Sequence, residues 1–591
     1  MPPREILASP PGSAPFGGPA VAHPHTILVS LPAWQDLIDY ALRTPEHMAK
    51  VAVGYPRFFV HKSVRRLVEV CLQVIAKNEA KMCLDPEAMA FPTARIMNEC
   101  VSFLARRSPA EFRSDIQAVH FGISGPNGSL PDSLHVVMYP KDLQKEVFFF
   151  WLNAGMGISG RHAEYILRRL ESGGILDTTQ APCESLLVRE LYGSSGFAAF
   201  FDLRKQGISP GALEQKWTLK TRIADLLNGG TGNGSSVSHT ERTAVKPGVQ
   251  PDDVFLYTTG MAAIWHAHQL TTRLFPGLKA ASFGYLYIDS LQVYRNWGEG
   301  IIPYYKDHDT NLREFEQNPP TISALFTELP SNPTLTSPNL ARIRELADEN
   351  GFLVVVDETV GNFVNTNILQ YADIICTSLS KLFSGSANVL GGSLVINPNS
   401  RYYASIRTHL DSTFVDDLYS EDAVVLEFNS RDFHSRVRTI NANAVAVASF
   451  LRSRSRSFQS ESSEAKGLAI ANVLFPKWVS RENYDKCKRP CADSNNFGYL
   501  VSVTFVSVEA SRAFYDALEC VKAPTIGTNF TLAVPYAILA HYNELSEVKN
   551  YGIDETLVRL SVGTEELDVI MGYLQRALEV AEKTVIHQAN P

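Results

Sequence analysis

Between residues 250 and 400 the chain repeats one pattern: a short apolar run, a helical stretch, another apolar run. The runs are AASFGYLYI, ISALFTEL, FLVVVDE, ADIICTS and GSLVI. They are continuously apolar, as strands covered on both faces must be. Strand, helix, strand at this spacing predicts a mostly parallel sheet with helices on both sides. SPNLARIRELADENG is the best-signalled of those helices. Ser337 is placed to cap it, Pro338 suits its first turn and Gly351 ends it. Sheets of this kind collect ligands at the carboxyl ends of their strands.

Three sets of polar residues fall at those ends. Asp357 closes FLVVVD. Ser378, Ser380 and Lys381 follow ADIIC in CTSLSKLFSG, and Gly260 and Met261 open a helix after FLYTT. Each alone has an ordinary explanation: a carboxylate that caps or pairs, a solvated lysine, a glycine at a helix start. Together they describe one ligand. A helix N-terminus binds phosphate, and serine hydroxyls add hydrogen bonds to it. A carboxylate keeps a pyridine nitrogen protonated, and a lysine forms a Schiff base with an aldehyde. Phosphate, pyridine and aldehyde make up pyridoxal 5′-phosphate (PLP). A desolvated amine beside other cations has a lowered pKa and can serve as a base.

The 591 residues predict about two to four domains. Polar stretches at 1–24, 228–248 and 452–467 punctuate the chain. They suggest a disordered tail at 1–24, an N-terminal extension at 25–240, a cofactor-binding domain at 241–400 and a C-terminal domain at 401–591. Helical periodicity in the extension is clearest in SVRRLVEVCLQVIAKNEAKM. VFFFWL at 147–152 has the length of a buried strand, and no run reaches the ~18 apolar residues of a membrane span. The RSRSRS stretch reads as a solvated loop. A net charge of −8 argues against nucleic-acid or membrane-surface partners. The first 24 residues lack a secretory apolar region. Eight cysteines in so long a chain make no disulfide framework, and Cys487 and Cys491 in CKRPC have no metal-site spacing. Reduced thiols in a cytoplasmic protein, with no metal, are expected.

A set of motifs occurs in order: DVFLYTTGMAAI, ELPSNP, VVVDET, ADIICTSLSKLFSG, NVLGGS, APTIGTNFTLAVPY and LVRLSVGTEE. This set resembles the Cys/Met-metabolism family of PLP enzymes, and within it the long fungal cystathionine gamma-synthases. GYPRFF (54–59) and GMGISGRHAEY (155–165) resemble the extension of that fungal branch. The resemblance implies an α/β PLP-dependent fold of type I. Its large domain has a mostly parallel seven-stranded sheet, a smaller α+β domain follows, and a helical extension precedes. It implies roles by position. Lys381 is the Schiff-base lysine, Asp357 the partner of the pyridine nitrogen, and Gly260, Met261, Ser378 and Ser380 bind phosphate. Tyr287 stacks on the cofactor, with Tyr285 close by as the other aromatic. Asn332 lies near the cofactor's phenolic oxygen, and Glu328 holds that loop. Arg559 grips the substrate's α-carboxylate, a task suited to a guanidinium fork. Thr525 lies near the lysine and the substrate. The family's Tyr-Ser-Arg-like segment, which reaches a neighbouring subunit's phosphate, is not cleanly present, and Arg161 in GISGR is its best candidate. The chain also departs from many bacterial members, with Asp357-Glu358-Thr359 for VDNT and Gly385-Ser386-Ala387-Asn388 for GHSD.

The implied reaction is γ-replacement on an O-acyl-L-homoserine such as O-acetylhomoserine, with cysteine or another thiol as nucleophile. The alternatives are a carbon nucleophile in secondary metabolism, or a γ-lyase. Intact Lys381, Asp357 and Arg559 speak against a non-catalytic scaffold. The implied partners are an amino-acid substrate, a nucleophile co-substrate and further copies of the chain in a dimer or tetramer.

Overall fold

The computed structural model describes residues 14–78, 83–124, 132–178, 210–232, 247–459, 467–490 and 495–589. Three sheets follow one another along the chain. The first is antiparallel: β1 (Pro86–Phe91), β2 (Gln117–Ser124), β3 (Asp132–Pro140) and β4 (Ile175–Asp177), in the order β1-β3-β2-β4. The helix expected in the extension spans Lys62–Asn78. It packs Leu67, Cys71 and Ile75 against Phe121, Val136 and Met138 on one face of this sheet. Met97, Phe103 and Leu104 of helix Ala94–Arg107 meet Val137 and Tyr139 on the other face. The extension thus holds a sheet as well as helices. With both faces buried, β3 lacks the polar alternation that would have announced it.

VFFFWL lies in helix Gln144–Ala154, not in a strand. An apolar run of that length fits either element. Here the helix is buried on more than one side: Val147 and Phe150 are in the core, and Phe149 stacks on Trp297. Gly155, at φ +70°, ends it.

The second sheet holds β5 (Val254–Tyr257), β6 (Ala280–Phe283), β7 (Ile301–Tyr304), β8 (Ala324–Glu328), β9 (Leu353–Asp357), β10 (Ile374–Ser378) and β11 (Gly392–Ile396), in the order β5-β11-β10-β9-β8-β6-β7. All pairs from β10 to β7 are parallel, and only β11 runs antiparallel to its neighbours. This is the mostly parallel seven-stranded sheet expected. Val354 and Val356 of β9 belong to the core on one side, and Leu353 and Val355 to the core on the other. Burial on both faces is why the run is unbroken. Register sets Glu328 of β8 opposite Asp357, and Asp357 opposite Cys376 of β10, so polar strand ends lie side by side. Helix Leu340–Asn350 starts later than expected. Asn339, not Ser337, caps it by accepting from the Arg342 N–H at 3.3 Å. Ser337 is fully buried and its carbonyl accepts from Asn483, which leaves Pro338 outside the helix. Gly351 closes it at φ +80°, as expected.

The third sheet comprises β12 (Ile470–Leu474), β13 (Leu500–Phe505), β14 (Val521–Lys522), β15 (Leu532–Pro535) and β16 (Leu557–Ser561), in the order β12-β13-β16-β15-β14. Its core includes Phe514 of helix Val508–Ala517 and Leu574 of helix Leu567–Ala589. Arg559 projects from the middle of this sheet, opposite Ser502 and Val534.

Residues 14–24, expected as part of a loose tail, are packed. Pro19 bridges to Val29, and Val21 and Leu28 are buried with Val521 and Leu532. Leu31 N donates to the carbonyl of Lys522 at 3.0 Å, so the arm lies along the third sheet. Residues 1–13, 233–246 of the second polar stretch, 460–466 of the third and Cys491 lie outside the described residues. Among the described residues, Cys71, Cys83, Cys100, Cys376, Cys487 and Cys520 are free thiols. No helix among them is long and apolar enough to cross a membrane.

Candidate active site

The carboxyl ends of β8, β9 and β10 open into a cavity of about 480 Å³. Gly260, Met261, Tyr287, Asn332, Asp357, Ser378, Lys381, Thr525 and Arg559 all line it. Nine positions picked from the sequence, spread over 300 residues, thus converge on one space. Ser380 and Arg161 do not line it.

Lys381 sits in the turn after β10. Its Nζ donates to Thr525 Oγ1 at 2.9 Å and lies 4.3 Å from the centre of the Tyr55 ring. Burial lowers its pKa, Tyr55 opposes that shift, and the charges of Arg57 and Arg559 add to it. The amine is therefore easier to find unprotonated than a surface lysine. Burial alone would raise the Tyr55 phenol. The Lys381 and Arg57 charges and hydrogen bonds with Ser380 and Lys381 outweigh it and leave the phenol pKa lowered.

Two carboxyl groups lie on adjacent strand ends. Glu328 accepts from two backbone N–H groups, Tyr287 at 2.6 Å and Asn332 at 3.3 Å. It therefore fixes the loop after β8, the role expected of it. Burial first, and then the Asp357 charge, push its pKa up. Asp357 Oδ1 accepts from Thr359 N at 2.8 Å, and burial raises its pKa too. Among the described residues no cation forms an ion pair with Asp357. A cationic N–H supplied by a ligand would restore its charge.

Gly260 begins helix Gly260–Leu274, capped by Thr259, whose Oγ1 accepts from Ala262 N at 3.0 Å. A Cβ on Gly260 would lie 2.6 Å from Ser378 Cβ. The glycine lets the helix N-terminus come down onto the end of β10, where free N–H groups and the Ser378 hydroxyl can meet one anion.

Arg559 is buried on the opposite wall. Nη1 donates to Asn332 Oδ1 at 2.8 Å and Nη2 to the Thr525 carbonyl at 3.1 Å. Its guanidinium lies over the Tyr536 ring at 4.9 Å, and its Nε has no partner among the described residues. Burial lowers its pKa to about 10. A buried guanidinium lacking a carboxylate is costly unless a ligand supplies the anion.

Tyr287 lines the cavity, whereas Tyr285 stacks on Tyr551 at 4.7 Å outside it. The Tyr287 hydroxyl accepts from Arg57 Nη2 at 2.9 Å, and the same nitrogen pairs with Asp289 at 2.7 Å. Tyr55 and Arg57, in GYPRFF, also line the cavity. No role could be read for them from sequence, because the cavity groups they touch, Tyr287 and Asp289 for Arg57 and Lys381 for Tyr55, lie over 200 residues away. The only signal was the likeness of GYPRFF to the fungal extension.

Two of the expected site residues make other contacts in the single chain. Ser380 does not line the cavity itself: its hydroxyl donates to the Gly391 carbonyl at 3.2 Å and accepts from the Gly391 N–H at 3.0 Å. It ties the lysine turn to the approach of β11. Arg161 donates to Asp422 Oδ1 and to the Asn388 carbonyl, both at 2.9 Å. Its helix faces Ser420–Asn429, and the side chain lines a smaller neighbouring cavity.

A lysine of lowered pKa, a carboxylate without a cation and an anion-binding helix start fit PLP and mark a PLP enzyme. The chain belongs to the Cys/Met metabolism PLP-dependent enzymes, whose family pattern matches residues 248–579. Residues 63–159 match the N-terminal domain of fungal trans-sulfuration enzymes. Curated relatives span the whole chain. The cystathionine gamma-synthase-like enzyme iboG1 of Amanita muscaria is 37% identical, covering 97% of this chain and 98% of its own. The cystathionine gamma-synthase of Neurospora crassa is 34% identical, covering 95% and 97%. The alanine racemase ungC of Aspergillus violaceofuscus is 29% identical, covering 97% and 98%.

Proposed function

We propose that this enzyme catalyses γ-replacement on an O-acyl-L-homoserine, with cysteine or another thiol as nucleophile. One observation carries the reading: Thr525 touches both Lys381 Nζ through its hydroxyl and Arg559 through its carbonyl. A proton-moving amine and an unpaired anion-binding fork therefore stand one residue apart. An α-amino acid held at Arg559 by its carboxylate would present its α-carbon towards Lys381.

Bound PLP supplies the sink that stabilises negative charge next to the amino carbon. Gly260, Met261 and Ser378 would hold its phosphate, Asp357 its ring nitrogen and Lys381 its aldehyde carbon. Glu328 keeps Tyr287 and Asn332 in place around it. In the reaction Lys381 Nζ takes the proton from Cα of the substrate. A second proton leaves Cβ as the acyloxy group departs from Cγ with its bonding electrons. The thiol then adds at Cγ and loses its proton, and protons return to Cβ and Cα. The net change is exchange of acyloxy for thioether, with one carboxylic acid released.

The test is to assay purified enzyme with O-acetyl-L-homoserine and a panel of thiols and carbon acids. Nucleophile-dependent acetate release with a thioether product is expected. A C–C-linked product would move the nucleophile to the carbon class. Release of 2-oxobutanoate and ammonia without a nucleophile would mark a γ-lyase. No acetate release under any condition would overturn the reading.

Arg559→Ala is expected to raise the KM for the amino-acid substrate about ten- to a hundredfold, since losing one charged hydrogen-bonding partner costs ~1.5–3 kcal/mol. Arg559→Lys should recover only part, because an ammonium lacks the planar fork. Titrating each protein with substrate and following cofactor absorbance checks this. Equal affinities would assign the carboxylate to another residue.

A further inference from the structure

Beside the active-site cavity three side chains from separate parts of the chain converge. His25 lies on the N-terminal arm, His61 follows the Tyr55–Arg57 segment, and Glu164 lies in helix Gly160–Glu171. Their ligand atoms lie within 4.8 Å of one another. His25 Nε2 is 3.7 Å from Glu164 Oε2, and the two imidazoles stack with centres 6.1 Å apart. No spacing in the sequence announces this cluster.

Several features suit it to a cation. The Ser63 hydroxyl donates to Glu164 Oε1 at 3.1 Å, which steadies the carboxylate from behind. The Ser63 N–H lies 3.3 Å from His61 Nδ1, a long contact that the ring gives up when that lone pair turns to a metal. Arg161, which lines the same neighbouring cavity, is paired with Asp422 at 2.9 Å. His25 backbone sits at φ +51°, a left-handed conformation uncommon for a residue other than glycine. Both histidines also line the neighbouring cavity, of about 70 Å³, which has room for solvent.

We propose that His25, His61 and Glu164 bind a divalent transition metal of the zinc class, with solvent as the fourth ligand. Two imidazoles and a carboxylate suit zinc, whereas magnesium and calcium prefer oxygen donors alone. Tetrahedral bonds of ~2.1 Å set donors roughly 3.4 Å apart, so donor atoms now within 4.8 Å of one another draw together by up to about 1.4 Å. The ion would tie the arm and helix Gly160–Glu171 to the segment carrying Tyr55 and Arg57, and so brace one wall of the active site without entering the chemistry.

The test uses holoenzyme freed of metal by a chelator and dialysed. Zinc is titrated against a chromophoric competitor, and cobalt(II) serves as a spectroscopic probe. One equivalent per chain is expected, with the visible absorption of a four-coordinate cobalt site. Glu164→Gln should weaken zinc binding by about tenfold or more, and so should Ser63→Ala, which touches the ion only through its ligand. His25→Asn is the second ligand variant should Glu164→Gln fail to fold. Substoichiometric zinc in the wild type, or equal binding by wild type and a folded ligand variant, would overturn the proposal.

Discussion

Lys381→Ala is expected to lower kcat by about 10³–10⁴-fold, the upper part of the range for a positioned proton-transfer group. The amine is held by one hydrogen bond to Thr525 and faces the Tyr55 ring. Among the described residues, Lys381 is the only lysine that lines the cavity. Alanine also removes the one amine there that can join the cofactor's aldehyde. Borohydride reduction of wild-type holoenzyme, followed by peptide mapping, should place the cofactor label on Lys381. A label on another lysine, or turnover within tenfold of wild type, would remove Lys381 from the mechanism.

Asp357→Asn is expected to cost about 10²-fold in kcat, a loss of the size seen when one preorganised electrostatic partner is removed. Thr359 N already binds Oδ1, so the amide can occupy the same place and the fold should survive. What disappears is the negative charge. Burial raises the Asp357 pKa in the free protein, and a cationic ring nitrogen against it would lower it again. The asparagine cannot stabilise that cation, and the electron sink weakens. Steady-state rates of holo variant and wild type, at equal cofactor content, check this. Near-wild-type rates would make Asp357 a structural group that only orders the Thr359 turn.

The central sheet was legible because burial on both faces writes itself as unbroken apolar runs. Val354 and Val356 serve one core while Val355 serves the other. The strand ends were legible for the same reason: a carboxylate or hydroxyl that ends such a run must point into a crevice. Arg559 was different. Its strand, LVRLS, looks like many others, and only the motif set gave it a role. Tyr55 and Arg57 show where local reading stops, since what they touch is decided by a chain reversal of more than 200 residues. Ser380 and Arg161 show the converse. Their neighbourhoods in sequence suggested the site, whereas within the single chain Ser380 bonds to Gly391 and Arg161 pairs with Asp422. VFFFWL was ambiguous by physics: an element buried on several sides loses the periodicity that separates helix from strand. The arm at 14–24 looked loose by composition, yet Ala20 and Val21 are buried with Val521 and Leu532, and its backbone bonds to residues 28–30.

The most direct test of γ-replacement in this cavity is to run the reaction in deuterium oxide. Wild-type holoenzyme is incubated with O-acetyl-L-homoserine and the best thiol from the panel, and the product is examined by proton resonance and mass spectrometry. The expected product carries deuterium at Cα and at Cβ and none at Cγ, with one acetate released per thioether formed and no labelled product from Lys381→Ala. Deuterium at Cα alone with the acyl group intact, as in a racemase, would contradict it. So would a thioether that keeps all its original Cα and Cβ protons.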